Sequence, residues 1–192
     1  MRPPPSNSFI EAVSRLGRDA WKGDQLDQLL AKAASVAADT AGGDAALVLE
    51  RTLGNRLNTA GGAYGWQAAP TVRDLISPTI WHAPEVLESP NGAVLISDLR
   101  ERRNEPPIFH ANGFRSVAAV LIGHGSRPYG VLAVYARRPD AFDADVLPLL
   151  STLAAMVGLV VRLAHLTADP RITASVDSSG KTSALNASGR RA

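Results

Sequence analysis

Arg115 to Gly123, RSVAAVLIG, and Tyr129 to Arg137, YGVLAVYAR, are the two stretches on which the fold of this 192-residue chain turns. Both are dense in Val, Leu and Ala, residues that pack well on a pleated and largely buried surface. Gly125-Ser126-Arg127-Pro128 between them is turn chemistry, so the natural reading is an antiparallel hairpin. Pro139-Asp140 ends the sheet.

Downstream, Asp143 and Asp145 stand at the start of a long apolar run through Leu166, and Arg162 and His165 stand near its end. Acidic groups suit the positive end of a helix dipole and basic groups the negative end, which predicts one long helix. Val146, Leu149, Leu153, Met156, Val160 and Leu163 mark one seam on it, and Leu147, Leu150, Ala154, Val157 and Val161 a neighbouring one. A single sheet cannot cover both, so a second helix is implied, and the expectation is a homodimer through Val146, Leu149, Leu153, Met156 and Val160. The run holds Pro148, Ser151, Thr152 and Gly158, and it reads as a buried helix and not a membrane span.

Upstream, Ala93 to Ser97 reads as a short strand, Asp98 to Pro107 as a charged loop and Ile108 to Gly113 as a brief helix or turn. Gly61 to Glu88 carries Gly61, Gly62, Gly65, Pro70, Pro78 and Pro84 with Trp66 and Trp81, so it is expected to be irregular, with short helices only. Ala45 to Glu50 is an apolar run closed by the turn Arg51 to Asn55, with Arg56 to Ala60 returning beside it. Before that, Phe9, Val13, Leu16 and Ala20 repeat at helical spacing, as do Leu26, Leu29, Leu30, Ala33 and Ala37 after a candidate N-cap at Asp24. Residues 1–7 and 167–192, rich in Pro or in small polar groups, are expected to be disordered tails around a single domain at 8–166.

Bulk composition narrows the function. Hydrophobic residues make up 45% and charged residues 20%, the balance of a globular domain. A net charge of +2, with acidic and basic residues interspersed, gives no phosphate-binding surface, so nucleic acid is not expected as a partner. The absence of Cys removes disulfides, thiolate metal sites and thiol nucleophiles, and with no secretory pattern at Met1-Arg2-Pro3 it points to the cytoplasm.

Phe114-Arg115-Ser116-Val117 running into Ala118–Ile122, then Arg127-Pro128-Tyr129-Gly130-Val131-Leu132-Ala133-Val134-Tyr135, Arg137-Arg138-Pro139 and Phe142-Asp143-Ala144-Asp145 resemble the closing half of GAF domains from bacterial sensor kinases and cyclases. Gly92 to Arg100 resembles that family's strand and turn at its ligand cleft, and Gly65-Trp66 the end of its first hairpin. The resemblance spans roughly residues 25–166. It implies an α/β (α+β) fold: a central antiparallel sheet of about six strands flanked by N- and C-terminal helices, with a pocket roofed by the irregular segment and the 98–114 loop.

Placed on that pattern, Trp66, Trp81, Phe109 and Phe114 are candidates to wall a flat ligand, and Asp98 and Ser116 to hydrogen-bond it. Core packing for the rings, a turn cap for Asp98 and a strand start for Ser116 are the structural alternatives. His82 and His110 are the histidines of the cleft-forming segments, and imidazole ligates haem in some relatives; no pair of histidines has metal-ligand spacing, and neither a metal nor a cofactor is expected. Gly42-Gly43-Asp44 lacks the continuation of a diguanylate cyclase signature, and only Phe142 with Asp145 is reminiscent of cyclic-nucleotide-binding relatives. Methionine sulfoxide reduction and covalent tetrapyrrole attachment on this fold work through Cys, which this chain lacks.

The expected function is therefore non-catalytic: binding of a small molecule, signalled through terminal helices to a separate kinase or cyclase partner. A ligand-free dimerisation module is the alternative. An enzyme is the weakest reading, since no acid, base and nucleophile can be brought together from the sequence.

Overall fold

The apolar periodicities resolve into one sheet between two unequal layers. The computed structural model describes residues 7–51, 57–67, 82–102, 107–123 and 128–167. In chain order these form α1 (Asn7–Trp21), α2 (Leu26–Ala41), β1 (Ala45–Arg51), β2 (Leu57–Tyr64), α3 (His82–Glu88), β3 (Ala93–Ile96), a 3₁₀ turn (Leu99–Glu101), α4 (Pro107–Ala111), β4 (Ser116–Ile122), β5 (Gly130–Ala136) and α5 (Val146–Thr167). The strand order is β2-β1-β5-β4-β3, and every pairing is antiparallel. Five strands are found among the described residues where about six were expected. Most of the turns expected at 51–55 and 125–128, Trp81 and nearly all of both expected tails lie outside them.

The expected hairpin is β4–β5, paired from Ser116↔Ala136 to Ile122↔Gly130. β5 is the middle strand and is buried along its whole length, which explains a sequence that is apolar on both faces. On one face Ala46, Val48, Ala118, Val120, Ile122, Leu132 and Val134 pack against α1, α2 and α5. On the other, Ala45, Leu47, Leu49, Val117, Ala119, Val131, Ala133 and Tyr135 pack with Val86 of α3, Leu99, Phe109 of α4 and Phe114. A strand's alternation thus feeds two separate cores.

The return strand is longer than its sequence suggests. β2 runs on through Gly61-Gly62, within the stretch expected to be irregular. A Cβ on Gly62 would stand 2.8 Å from the Leu30 oxygen and 2.9 Å from Val48, so the glycine lets β2 press against α2 and β1 where a side chain could not fit.

Two expectations about helix ends and seams are corrected. Gln25, not Asp24, occupies the N-cap of α2, with no side-chain cap bond. Asp24 and Asp19 instead share Lys32 at 2.8 Å each, stapling the α1–α2 turn. The second helix demanded by α5 comes from the same chain. Val146, Leu153 and Val160 are buried, Leu149 and Met156 half-buried, and the neighbouring seam is buried at Leu150, Ala154, Val157 and Val161. The large apolar side chains α5 leaves exposed are Leu159, Leu163 and Leu166, so the seam Val146, Leu149, Leu153, Met156 and Val160 is intramolecular packing. By length and composition Val146–Leu166 could cross a membrane, yet its inner stripe packs on β4 and α2.

Candidate functional site

Four rings gather on the sheet face away from the long helices. Trp66 follows β2, Phe109 lies in α4, Phe114 precedes β4 and Tyr135 is near the end of β5. Ring centroids of Trp66 lie 6.0 Å from Phe109, 4.9 Å from Phe114 and 5.1 Å from Tyr135, while Phe109 stacks on Tyr135 at 5.3 Å. These are edge-on and stacked distances at which aromatic pairs attract. Phe109, Phe114 and Tyr135 are fully buried, and Trp66 is half-buried with Nε1 donating to the Ala46 oxygen at 3.0 Å. Three of the expected ring residues are therefore brought together; the fourth, Trp81, lies outside the described residues.

A polar clasp closes the rim of this cluster. Asn112 is buried; its side-chain oxygen accepts from the Gln67 amide at 2.9 Å, and its side-chain nitrogen donates to the Ile108 oxygen at 2.8 Å. Arg137 lies over the Phe114 ring at 5.4 Å and donates Nε to the Asn112 main-chain oxygen at 3.1 Å. Asp44 accepts from the Arg137 amide at 2.7 Å. The ends of β1, β5 and α4 are thereby tied around Trp66.

Asp98 and Arg115 extend the same face. Arg115 precedes Val117 and Ala119 in the alternation of β4, and Asp98 follows Val94 and Ile96 of β3. Arg115 donates Nε to Asp98 Oδ1 at 2.8 Å and Nη2 to Oδ2, and Oδ1 also accepts from the Arg100 amide at 3.1 Å, capping the 3₁₀ turn. The Arg115 guanidinium, more than any other group, holds the Asp98 carboxyl down at about 2. Asp98 thus has the turn-capping role foreseen as its alternative, and its oxygens are engaged within the fold.

Ser116 is on the other side. It shares the parity of Ala118 and Val120, which face the helices, and its hydroxyl donates to the Arg138 oxygen at 2.9 Å. It is fully buried and does not share the ring face with Trp66, Phe109 and Phe114. His110 is exposed on α4, and the His165 ring stands 6.5 Å from Tyr129 at the far end of α5. Among the described residues no group of three His, Cys, Asp or Glu side chains could hold a metal ion. A cavity of about 220 Å³ lies between α1 and α2, lined by Ser8, Phe9, Ala12, Val36, Asp39 and Thr40, in the helical layer and away from the rings.

Tyr135, Asn112, Arg115 and Arg137 were not among the site residues expected from the sequence. Tyr135 was accessible to alternation, because it follows Val131 and Ala133 onto one face. Arg137 and Asn112 meet across 25 positions of chain, and no local pattern reports that.

The GAF domain family model matches residues 25–161, most of the chain. The chain belongs to the GAF family. Among solved structures, this GAF domain is similar to the chromophore-binding domain of an unusual bacteriophytochrome from R. palustris, with TM-score 0.60 and 13% identity over 86% of this chain and 65% of that one. It therefore spans just under two thirds of that domain. It is similar also to the free methionine-R-sulfoxide reductase of Neisseria meningitidis, with TM-score 0.68 and 17% identity over 87% of this chain and 96% of that one. A third is the GAF domain of an Acinetobacter phosphoenolpyruvate-protein phosphotransferase, with TM-score 0.58 and 16% identity over 84% of this chain and 98% of that one. At these identities the likeness is one of fold. No curated protein matches the chain.

Proposed function

We propose that this GAF domain is a non-catalytic sensory module of bacterial signal transduction, which binds a small molecule on its ring-bearing sheet face and signals through α1 and α5. The observation that carries this reading is the division of the sheet into two unlike faces. One face is covered by helices; the other holds Trp66, Phe109, Phe114 and Tyr135 beside two ion pairs, Asp98–Arg115 and Asp44–Arg137. Strands β1, β4 and β5 are common to both faces, so a ligand that shifts one core shifts the other. The chain's lack of Cys supports binding over thiol-based reductase chemistry.

Ligand contacts in this reading come from Trp66, Phe109 and Phe114; Trp81, the fourth ring expected, lies outside the described residues. The partner is a separate kinase or cyclase in the cytoplasm, and a second copy of the chain docks on the exposed stripe of α5. α1 runs beside α5, since a Cβ added to Gly17 would stand 3.6 Å from the Met156 methyl, and Ile10 and Trp21 of α1, like Leu159, Leu163 and Leu166 of α5, are exposed. Exposed apolar side chains on two neighbouring helices suit four-helix pairing.

Mutual packing of the rings at 4.9–6.0 Å favours the second reading, a ligand-free interaction module whose aromatic face is filled by its own side chains. Native mass spectrometry of the purified chain separates the two. A co-purifying small molecule, lost on Trp66→Ala, is expected for a sensor; a bare chain that also binds nothing from a metabolite extract rejects it.

A further inference from the structure

We infer that Arg115 is the polar anchor of the ring-bearing face, and that its ligand is a neutral carbonyl compound and not an anion. This rests on the sensory reading above. A guanidinium carries five N–H donors in a rigid plane. Asp98 engages Arg115 side-on, through Nε and Nη2, so both Nη1 hydrogens and one Nη2 hydrogen have no partner among the described residues. The plane cannot rotate without breaking two charge-assisted bonds, so those donors point in a fixed direction.

Solvent reaches this group. The Arg115 side chain is 23% exposed and that of Asp98 15%. Half-buried Val94, Ile108 and Leu121 pack against the same core, so this sheet face carries partly open apolar surface as well as the open donors. Phe114, the adjacent residue in sequence, touches the half-buried edge of the face at Trp66. Apolar surface with a few fixed donors is how a site holds a flat organic molecule.

Charge decides the class. The positive charge of Arg115 is already matched by an ionised Asp98 at contact distance. An arriving carboxylate or phosphate would gain the guanidinium donors but meet the Asp98 charge, and would lose its own hydration. A neutral C=O pays far less desolvation and accepts the same N–H groups. Asp98 is thus a positioning residue that fixes the Arg115 plane and screens its charge, and Arg115 is the binding residue.

Nicotinamide and nicotinate, equal in shape and differing only in amide against carboxylate, are the probes. Binding is read from the indole N–H resonance of Trp66 in the 192-residue chain, with Trp21, exposed on α1 across the sheet, as the internal control. The wild type is expected to prefer nicotinamide by about fivefold, the discrimination that one hydrogen bond gives. Arg115→Gln removes the preference, and Asp98→Asn reverses it towards nicotinate, because the guanidinium charge is then uncovered. Asp98→Ser, which keeps an oxygen for the Arg100 amide, serves if the Asn variant fails to fold. A wild type that takes nicotinate equally well or better, or a preference indifferent to both substitutions, overturns the anchor and leaves the sensory reading standing. If neither probe moves Trp66 the anchor is likewise rejected, and the co-purified molecule alone then decides whether the domain is a sensor.

Discussion

Trp66 donates its indole proton to the main-chain oxygen of Ala46 at 3.0 Å, so a ring on one face of the sheet is bonded to a strand residue whose side chain faces the helices on the other. Two cores that share no side chain are joined at that bond. Trp66→Phe, which keeps a ring but loses the donor, is predicted to cost about 1 kcal/mol, and Trp66→Ala about 3 kcal/mol. Urea unfolding measures both. Equal costs for the two variants would mean that the hydrogen bond and not the ring packing holds the cluster.

The Asp98 carboxyl titrates at about 2 when folded, against an ordinary value of 3.8, chiefly through its bond with Arg115. A depressed folded value means that the unfolded chain binds the proton first, so the stabilisation is complete above pH 4 and is lost as pH falls towards 2. The slope of melting temperature against pH across that window is predicted to shrink in Asp98→Asn. An unchanged slope would show that other carboxylates set the acid limb.

Leu159 is 53% exposed and Leu163 45% on α5, whereas Leu153 is fully buried. Leu159→Asp with Leu163→Asp is predicted to lower the mass seen in light scattering while leaving the melting temperature within a few degrees. Leu153→Asp, by contrast, places a charge in the core and is predicted to prevent folding. A wild type that is monomeric at high concentration would remove the dimer from the proposal.

A Cβ on Gly130 would fall 1.7 Å from the Leu49 oxygen, whereas one on Gly158 would meet nothing closer than 3.5 Å. Gly130→Ala must therefore force β1 and β5 apart, with a predicted loss of about 3 kcal/mol or more. Gly158→Ala, in the middle of α5, is predicted to raise stability by up to about 1 kcal/mol through helix propensity. Chemical denaturation of the two variants would show the contrast, and a tolerated Ala at position 130 would contradict the close approach.

The Arg115–Arg137 hairpin, the long helix after Asp145, the short strand at Ala93 and both N-terminal helices were legible because each depends on periodicity or turn chemistry within a few residues. The same locality made the apolar face of α5 visible but left its owner undetermined: Leu153 and Val160 read equally well as a contact between copies, and only the placement of α2 and β4 gave them to the chain's own core. Ser116 and Asp98 show the same limit at the site. Which face a strand-end residue takes follows from register, and register is set by pairing with residues far along the chain: Ser116 opposite Ala136, and Leu99 bonded to Arg115. By itself the sequence determined most of the strands and helices, though not the reach of β2, and supplied the rings and charges. The tertiary structure decided which of those groups meet, because hydrogen bonds and ring contacts act over a few ångströms of space, whatever their distance along the chain.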